Sequence, residues 1–302
     1  MMKIGWVGTG IMGGSMAGHL QAAGHELYVF NRTKDKSETL LKSGAHWCKS
    51  PAEVANNAEI VFTMVALPID VEEVYMGENG IFSIQGACRI VVDMTTSRPI
   101  LAQTIARTAE ERSMNSLDAP VSGGDIGARN ATLAIMVGGK KETFDIVLPL
   151  FQLMGQIISY MGDSGAGQHT KMCNQILVAG TMIGVCESLL YADKAGLDQQ
   201  SVIDIIGKGA ASCWSINNLG PRIVNGNFEP GFIVEHFIKD MGIALQEAEA
   251  VGLSLPGLAL VHKLYLEVKA QGHGRLGTHA LMLALKALNE DPEKTIPGET
   301  SA

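Results

Sequence analysis

Lys3-Ile4-Gly5-Trp6-Val7-Gly8-Thr9-Gly10-Ile11-Met12-Gly13 is the stretch that decides how this chain is read. Its first five residues form a short apolar strand pattern. The next six are a Gly-x-Gly-x-x-Gly that closes the strand and opens a helical pattern over 12–23. Such a motif is common by chance in a chain with 35 glycines, but its place between strand and helix gives each glycine a task. The first allows a tight turn, the second lets backbone approach a pyrophosphate, and the third lets helix and strand pack closely. Free N–H groups and the helix dipole then attract the anion. Gly8, Thr9, Gly10, Ile11, Met12 and Gly13 are therefore candidate contacts of a dinucleotide.

The same alternation continues outward. Strand patterns over 3–7, 26–30, 60–65, 89–93, 115–118, 133–137 and 157–161 are interleaved with amphipathic stretches such as 101–111. This is the signature of βαβ units with right-handed crossovers and a parallel sheet. At Gly162 the pattern changes. Gly162-Asp163-Ser164-Gly165-Ala166-Gly167 reads as a join, and helical patterns follow over 168–194, 199–208, 238–250, 258–270 and 278–289. The expectation is a Rossmann-type α/β domain with a parallel sheet over 1–162 and an all-α domain over 163–290. The polar end, 291–302, with Pro292 and Pro297, reads as a flexible tail.

Bulk properties bound the function. The length of 302 residues suits two domains, and 46% hydrophobic against 18% charged residues supports a large core. A net charge of −8 without a basic run argues against a nucleic-acid partner. Five cysteines form no CxxC pair and no cluster with histidine, so no metal site is expected. They read as free thiols of a reducing compartment, and with no signal-peptide pattern the expected location is cytoplasmic. The apolar stretch 176–192 is interrupted by Glu187 and falls short of the ~20 residues of a membrane span, so it reads as a buried helix.

Cofactor choice is read after the second strand. An NAD binder usually places Asp or Glu there for the ribose hydroxyls; this chain has Asn31-Arg32-Thr33. Asn31 does not repel a 2′-phosphate, Arg32 makes charge-assisted bonds to one, and Thr33 adds a hydroxyl. NADP is the preferred cofactor, with NAD possible if Arg32 is merely a solvated loop residue. Three later motifs also fall at strand ends, the edge where open α/β sheets bind ligands. They are Leu67-Pro68, Thr96, and Ser122-Gly123-Gly124. Singly, Leu67-Pro68 reads equally well as a turn and Thr96 as a helix cap. Within Asp118-Ala119-Pro120-Val121-Ser122-Gly123-Gly124, the two glycine N–H groups and the Ser122 hydroxyl suit a carboxylate. Asp118 reads as a structural cap.

On the first turns of the 168–194 helix, Lys171 and Asn174 share one face. Hydride delivery to a carbonyl leaves an alkoxide that needs a proton. A lysine ammonium lowered in pKa by partial burial supplies it. Spacing alone leaves the bland alternative open, since a lysine beside an apolar helix commonly snorkels. His169 is offset from that face. Lys239-Asp240 opens another helical stretch, where Lys239 is either a contact of the nicotinamide or its phosphates or half of a solvated pair.

Together these residues resemble the β-hydroxyacid dehydrogenases, which include 3-hydroxyisobutyrate dehydrogenase and the glyoxylate/succinic semialdehyde reductases. Four motifs match in order and spacing across 4–289: Gly8 to Gly13, Asp118 to Gly124, Gly165-Ala166-Gly167 with Lys171 and Asn174, and Lys239-Asp240. The resemblance implies Lys171 as the catalytic residue. It implies Ser122, Gly123, Gly124 and Asn174 as substrate contacts, and Leu67, Pro68, Thr96 and Lys239 as cofactor contacts. It also implies a small 3-hydroxy acid or semialdehyde substrate and a homodimer or homotetramer formed through the helical domain. Imine reductases share the architecture but usually lack this lysine; a non-catalytic dinucleotide-binding module is the reading from another class. One departure stands out. Many members carry Gly-x-Gly-x-x-Asp-x-Ser near the end, in a region that lines the substrate pocket or a subunit contact. Here Gly272-His273-Gly274 is followed by Gly277 and His279.

Overall fold

Strands dense in β-branched residues build the first half of a computed structural model that describes residues 1–290. The expected tail over 291–302 lies outside the described residues. The strands are β1 (Lys3–Val7), β2 (Glu26–Phe30), β3 (His46–Trp47), β4 (Ile60–Thr63), β5 (Ile90–Asp93), β6 (Asn115–Asp118), β7 (Val121–Ser122), β8 (Leu133–Gly139) and β9 (Gly155–Gly162). They form one sheet in the order β3-β2-β1-β4-β5-β6-β8-β7, with β9 also on β8. The six from β3 to β6 are mutually parallel. β8 runs antiparallel to β6 and β7, and β9 parallel to β8. Two strands, β3 and β7, were not expected; at two residues each they are too short to show a period.

The period of two sorts the strands' side chains onto two faces. Trp6, Phe62 and Val92 lie in one apolar cluster, while Val7, Val61 and Val91 lie in another. Trp6 stacks on Phe62 with centroids 5.4 Å apart, and Phe151 meets Phe62 edge-on. Burial on both faces is why β4 and β5 read as unbroken apolar runs rather than as alternation. Several helices open on proline, including those beginning at Pro51, Pro68, Pro99 and Pro256. The first helical position needs no N–H partner, and proline's fixed φ suits it.

The chain divides into two compact units, Met1–Lys171 and the part from Met172 onward. Their boundary lies beyond the composition change at Gly162, because the first turn of the helix Ala166–Lys194 is bonded to the sheet of the first unit. The second unit is helical. Its main helices, besides the remainder of Ala166–Lys194, are Gln199–Ile206, Val234–Ala250, Pro256–Val268 and Leu281–Glu290. Among the described residues its only β-type contact is a single bridge between Ile233 and Gly277. Its core gathers Met182, Cys186, Leu189, Phe237, Met241 and Tyr265. One tyrosine is wholly buried in each unit. Tyr75 bonds Thr63 in the first, and Tyr265 donates to the Thr278 carbonyl at 2.7 Å in the second.

The helix Ala166–Lys194 is long and apolar enough to cross a membrane by length and composition. That corrects the expectation from 176–192 that its apolar run is too short. It carries buried Gln168, Lys171 and Gln175, however, and its Met182–Cys186–Leu189 side lies in the core of the second unit. The described cysteines are all free thiols.

Candidate active site

The parallel strands of the first unit end in step. Val7 pairs with Phe30 and with Thr63, Thr63 with Asp93, and Asp93 with Asp118. The loops that follow β1, β2, β4, β5 and β6 therefore leave along one edge. They bring together the glycine turn, Asn31-Arg32-Thr33, Leu67-Pro68, Thr96 and Ser122-Gly123-Gly124. β1 has β2 on one side and β4 on the other, so the chain reverses its direction of travel across the sheet at β1. Ligands of open α/β sheets bind at that switch point.

The glycine turn has two kinds of glycine. Gly8 has φ +96°, and a Cβ there would run into the Met64 carbonyl; one on Gly13 would run into the Gly8 carbonyl oxygen. These two are demanded by the protein's own packing. A Cβ on Gly10 would meet nothing within 4 Å, so Gly10 keeps an approach open rather than relieving a clash. The helix it opens, Ile11–Ala22, has no side-chain cap and no acidic residue in its first turn. Its leading N–H groups and positive dipole end suit an anion. The cradle thus fits the pyrophosphate of a dinucleotide.

The β2 loop is built differently from a simple ribose reader. Asn31 uses its side chain internally: Oδ1 accepts from Thr9 N at 3.1 Å and Nδ2 donates to the Thr33 carbonyl at 2.8 Å. It braces the glycine turn against β2, and the Thr9 hydroxyl adds a bond to Ser37. Arg32 is 74% exposed and pairs with Asp70 at 3.0 Å. The other Asp70 oxygen accepts from Leu67 N at 3.0 Å, fixing the Leu67-Pro68 turn. Sequence reasoning missed Asp70, although an acid at the third helical position behind Pro68 is a cap signal. It also missed Lys36, which lines a surface hollow with Thr9, Gly10 and Ile11. In Lys34-Asp35-Lys36 that lysine reads as a solvated charge.

Beneath β4 and β5, buried Asp93 accepts from the Thr63 hydroxyl at 2.8 Å and from Thr95 N at 3.1 Å. The Thr95 hydroxyl accepts from Val65 N. This network sets the loop that carries half-buried Thr96. Gly123 and Gly124, at φ +128° and +61°, hold a backbone shape that favours glycine and follow half-buried Ser122.

Asp118 ends β6 and caps the helix Ala166–Lys194, accepting from Gly165 N at 2.8 Å and from Gln168 N at 2.9 Å. Burial pushes its carboxyl up to about 6 against those two bonds, which favour the charged form. Close approach of this helix to the sheet depends on Gly167 and Gly138. A Cβ on either would stand inside contact distance of Asp118. Lys171, one turn further along the helix, is only 7% exposed. His169 is exposed.

In the second unit, Asn174 and Lys239 are linked through one polar chain. Asn174 Nδ2 donates to Gln175 Oε1 at 2.7 Å, and Gln175 Nε2 donates to Asp240 Oδ2 at 2.6 Å. The other Asp240 oxygen pairs with Lys239 Nζ at 2.8 Å. Asp240 is 1% exposed, so Lys239 is not half of a solvated pair. Gln175 gave no signal in the sequence. The end of the departing segment is internal: His279 is buried, bonded to the Asn227 carbonyl at 2.8 Å and stacked on Phe228, whereas Gly272 and Arg275 are exposed.

The profile of the NAD-binding domain of 6-phosphogluconate dehydrogenase matches residues 3–162. That of the NAD-binding domain of NADP-dependent 3-hydroxyisobutyrate dehydrogenase matches 165–285. An oxidoreductase of Bacillus subtilis is 53% identical over 92% of this chain and 96% of its own length. The 2-hydroxy-3-oxopropionate reductase of Escherichia coli is 40% identical over 95% of this chain and 98% of its own. The Mycobacterium tuberculosis 3-hydroxyisobutyrate dehydrogenase, in a structure with L-serine, superposes with a TM-score of 0.85 at 31% identity. That match covers 95% of this chain and 99% of that one. With a dinucleotide cradle in one unit, a helical second unit, and both halves matched along their length, the chain belongs to the β-hydroxyacid dehydrogenase family of NAD(P)-dependent oxidoreductases.

Proposed function

We propose that this protein interconverts a small 3-hydroxy acid and its semialdehyde, with Lys171 moving the proton. The observation that carries the reading is a buried lysine on a helix whose first turn is bonded to the strand-end loops of the dinucleotide edge. The cofactor, when bound, supplies hydride exchange at the alcohol carbon. Everything else falls to side chains. As a carbonyl carbon gains hydride, its oxygen gains negative charge, and the Lys171 ammonium donates a proton to it and becomes the amine. In the reverse direction the amine takes the alcohol's proton. Ser122 with the N–H groups of Gly123 and Gly124, together with Asn174, holds the substrate carboxylate. Gly8 to Gly13, Leu67, Pro68, Thr96 and Lys239 hold the cofactor.

NADP is the preferred cofactor and NAD an accepted one. Arg32 and Lys36 supply positive charge, Thr33 a hydroxyl, and position 31 carries no carboxylate. The substrate class has support from the relatives' names. L-serine bears an alcohol three carbons into an acid, and 2-hydroxy-3-oxopropionate bears an aldehyde there. The segment 163–290 is assigned to substrate binding and to assembly as a homodimer or homotetramer.

The test is a panel of semialdehydes and hydroxy acids with NADPH and NADH, run on the native protein and on Lys171→Ala. Proton transfer by a placed side chain contributes about 10²–10⁴-fold, so Lys171→Ala is expected to lose turnover on that scale while binding NADPH. Succinic semialdehyde is expected to outperform an uncharged aldehyde of equal length. Full turnover in Lys171→Ala, or indifference to the carboxylate, refutes the reading.

A further inference from the structure

We propose that Gln168 is a positioning residue, which fixes where the amino group of Lys171 stands relative to loop 95–97. The inference rests on the reading of Lys171 as the proton-transfer group. Gln168 is 0% exposed, and both ends of its amide are in use. Oε1 accepts from Ser97 N at 2.9 Å, and Nε2 donates to the Thr95 carbonyl at 2.8 Å. Its own backbone N–H donates to Asp118 Oδ2 at 2.9 Å. One residue therefore fastens the first turn of the helix to two strand ends, β5 and β6.

The bonds bracket Thr96, since the two loop residues that Gln168 holds are its immediate neighbours. Attachment at three points, two on loop backbone and one on the Asp118 carboxylate, fixes the roll of the helix and its advance along its axis together. Lys171 follows by three residues, on the same side of the helix and ~4.5 Å further on at 1.5 Å per residue. Any slip of that first turn is passed directly to its amino group. A purely space-filling role does not need the amide. A buried polar group costs free energy unless its bonds are made, and an apolar side chain of equal length would fill the same volume.

The test is Gln168→Met, which keeps length and loses the donor and strong acceptor, measured beside Lys171→Ala and the double variant. Misplacement by ~1 Å costs about 10²-fold in rate. The expected result is a kcat about 10- to 100-fold lower per folded site at saturating NADPH. The deuterium isotope effect on kcat, with NADPH labelled at the transferred position, is expected to persist or rise. Combined with Lys171→Ala, the change is expected to add nothing further, because it acts through that lysine.

A native kcat in Gln168→Met with only a lower Tm overturns the proposal, as does an equal loss on the Lys171→Ala background. If Gln168→Met does not fold, Gln168→Asn, one methylene short, is read by the same criteria. Native turnover in Lys171→Ala would sink the lysine assignment and the clamp with it. An inactive Lys171→Ala beside a native-like Gln168→Met sinks the clamp alone.

Discussion

The backbone N–H of Gln168 donates to the carboxylate of Asp118 at 2.9 Å, so an acid at the end of a strand closes the helix that bears Lys171. Gly165 adds a second N–H at 2.8 Å. The positive end of this helix is answered from within the protein. A substrate carboxylate must then find its donors elsewhere, which is the part given to Ser122, Gly123 and Gly124.

Asp118 also carries a pH signature. Burial raises its carboxyl from 3.8 to about 6. The folded chain then binds this proton more readily than the unfolded chain does. Its contribution to stability is greatest below about pH 4 and declines as pH rises through about 6. Chemical denaturation at pH 4, 5, 6 and 7 is expected to show about 1–3 kcal/mol of this dependence. Asp118→Asn should flatten the curve in that window; an unchanged slope would contradict the assignment.

The two kinds of glycine predict two kinds of failure. In Gly13→Ala the new Cβ meets backbone, the Gly8 carbonyl, which has little freedom to move. Overpacking of that sort costs about 1–3 kcal/mol and should appear in thermal melts. Gly10→Ala meets open space at an ordinary φ of −66°. Its melt should be native, while NADPH binding, followed by fluorescence titration, weakens at least about tenfold, or 1.4 kcal/mol. Native affinity in Gly10→Ala would remove the cradle from the binding site.

For Arg32, stability and cofactor choice should separate. Its pair with Asp70 is solvent-exposed at the arginine end, and such pairs contribute about 0–1 kcal/mol. Arg32→Ala should therefore melt as native does. The preference for NADPH over NADH, taken as a ratio of kcat/KM, should drop about tenfold. An unmoved ratio would shift the assignment to Lys36 and Thr33.

Gly277 and His279 are coupled by space. A Cβ at 277 would overlap the imidazole of His279. Gly277→Ala alone should destabilise the protein by about 1–3 kcal/mol, and adding His279→Ser should recover part of that loss. A purely additive double variant, measured in a denaturation cycle, would refute the coupling. The departure from Gly-x-Gly-x-x-Asp-x-Ser is then one exchange of two residues and not two independent ones.

What the sequence made legible follows from periodicity. β1 and its glycine turn, the order of strands along the chain, and the switch to helices after Gly162 all leave a period or a composition change. The reversal of β8 does not, because apolar pattern carries no strand direction; nor do two-residue β3 and β7. Of the candidate residues, Lys171 and Asn174 were visible from helical spacing. Gln168 and Gln175 were not, since polar residues on an otherwise apolar helix read as its wet side until three dimensions show them enclosed; Asp240 was seen only as the neighbour of Lys239. Asp70 and Lys36 lay hidden among ordinary surface charges. Asn31 was noticed for its neutrality, and the bracing of two backbone groups by its side chain left no trace in the sequence.

The enclosed phenols of Tyr75 and Tyr265 give each unit a silent chromophore. Both hydroxyls are held far above their ordinary ionisation range by loss of water. In an alkaline titration followed by ultraviolet difference absorbance, these rings should stay dark until the structure around each one opens. With Tyr75→Phe and Tyr265→Phe as blanks, the late-appearing absorbance becomes a clock for the melting of each half.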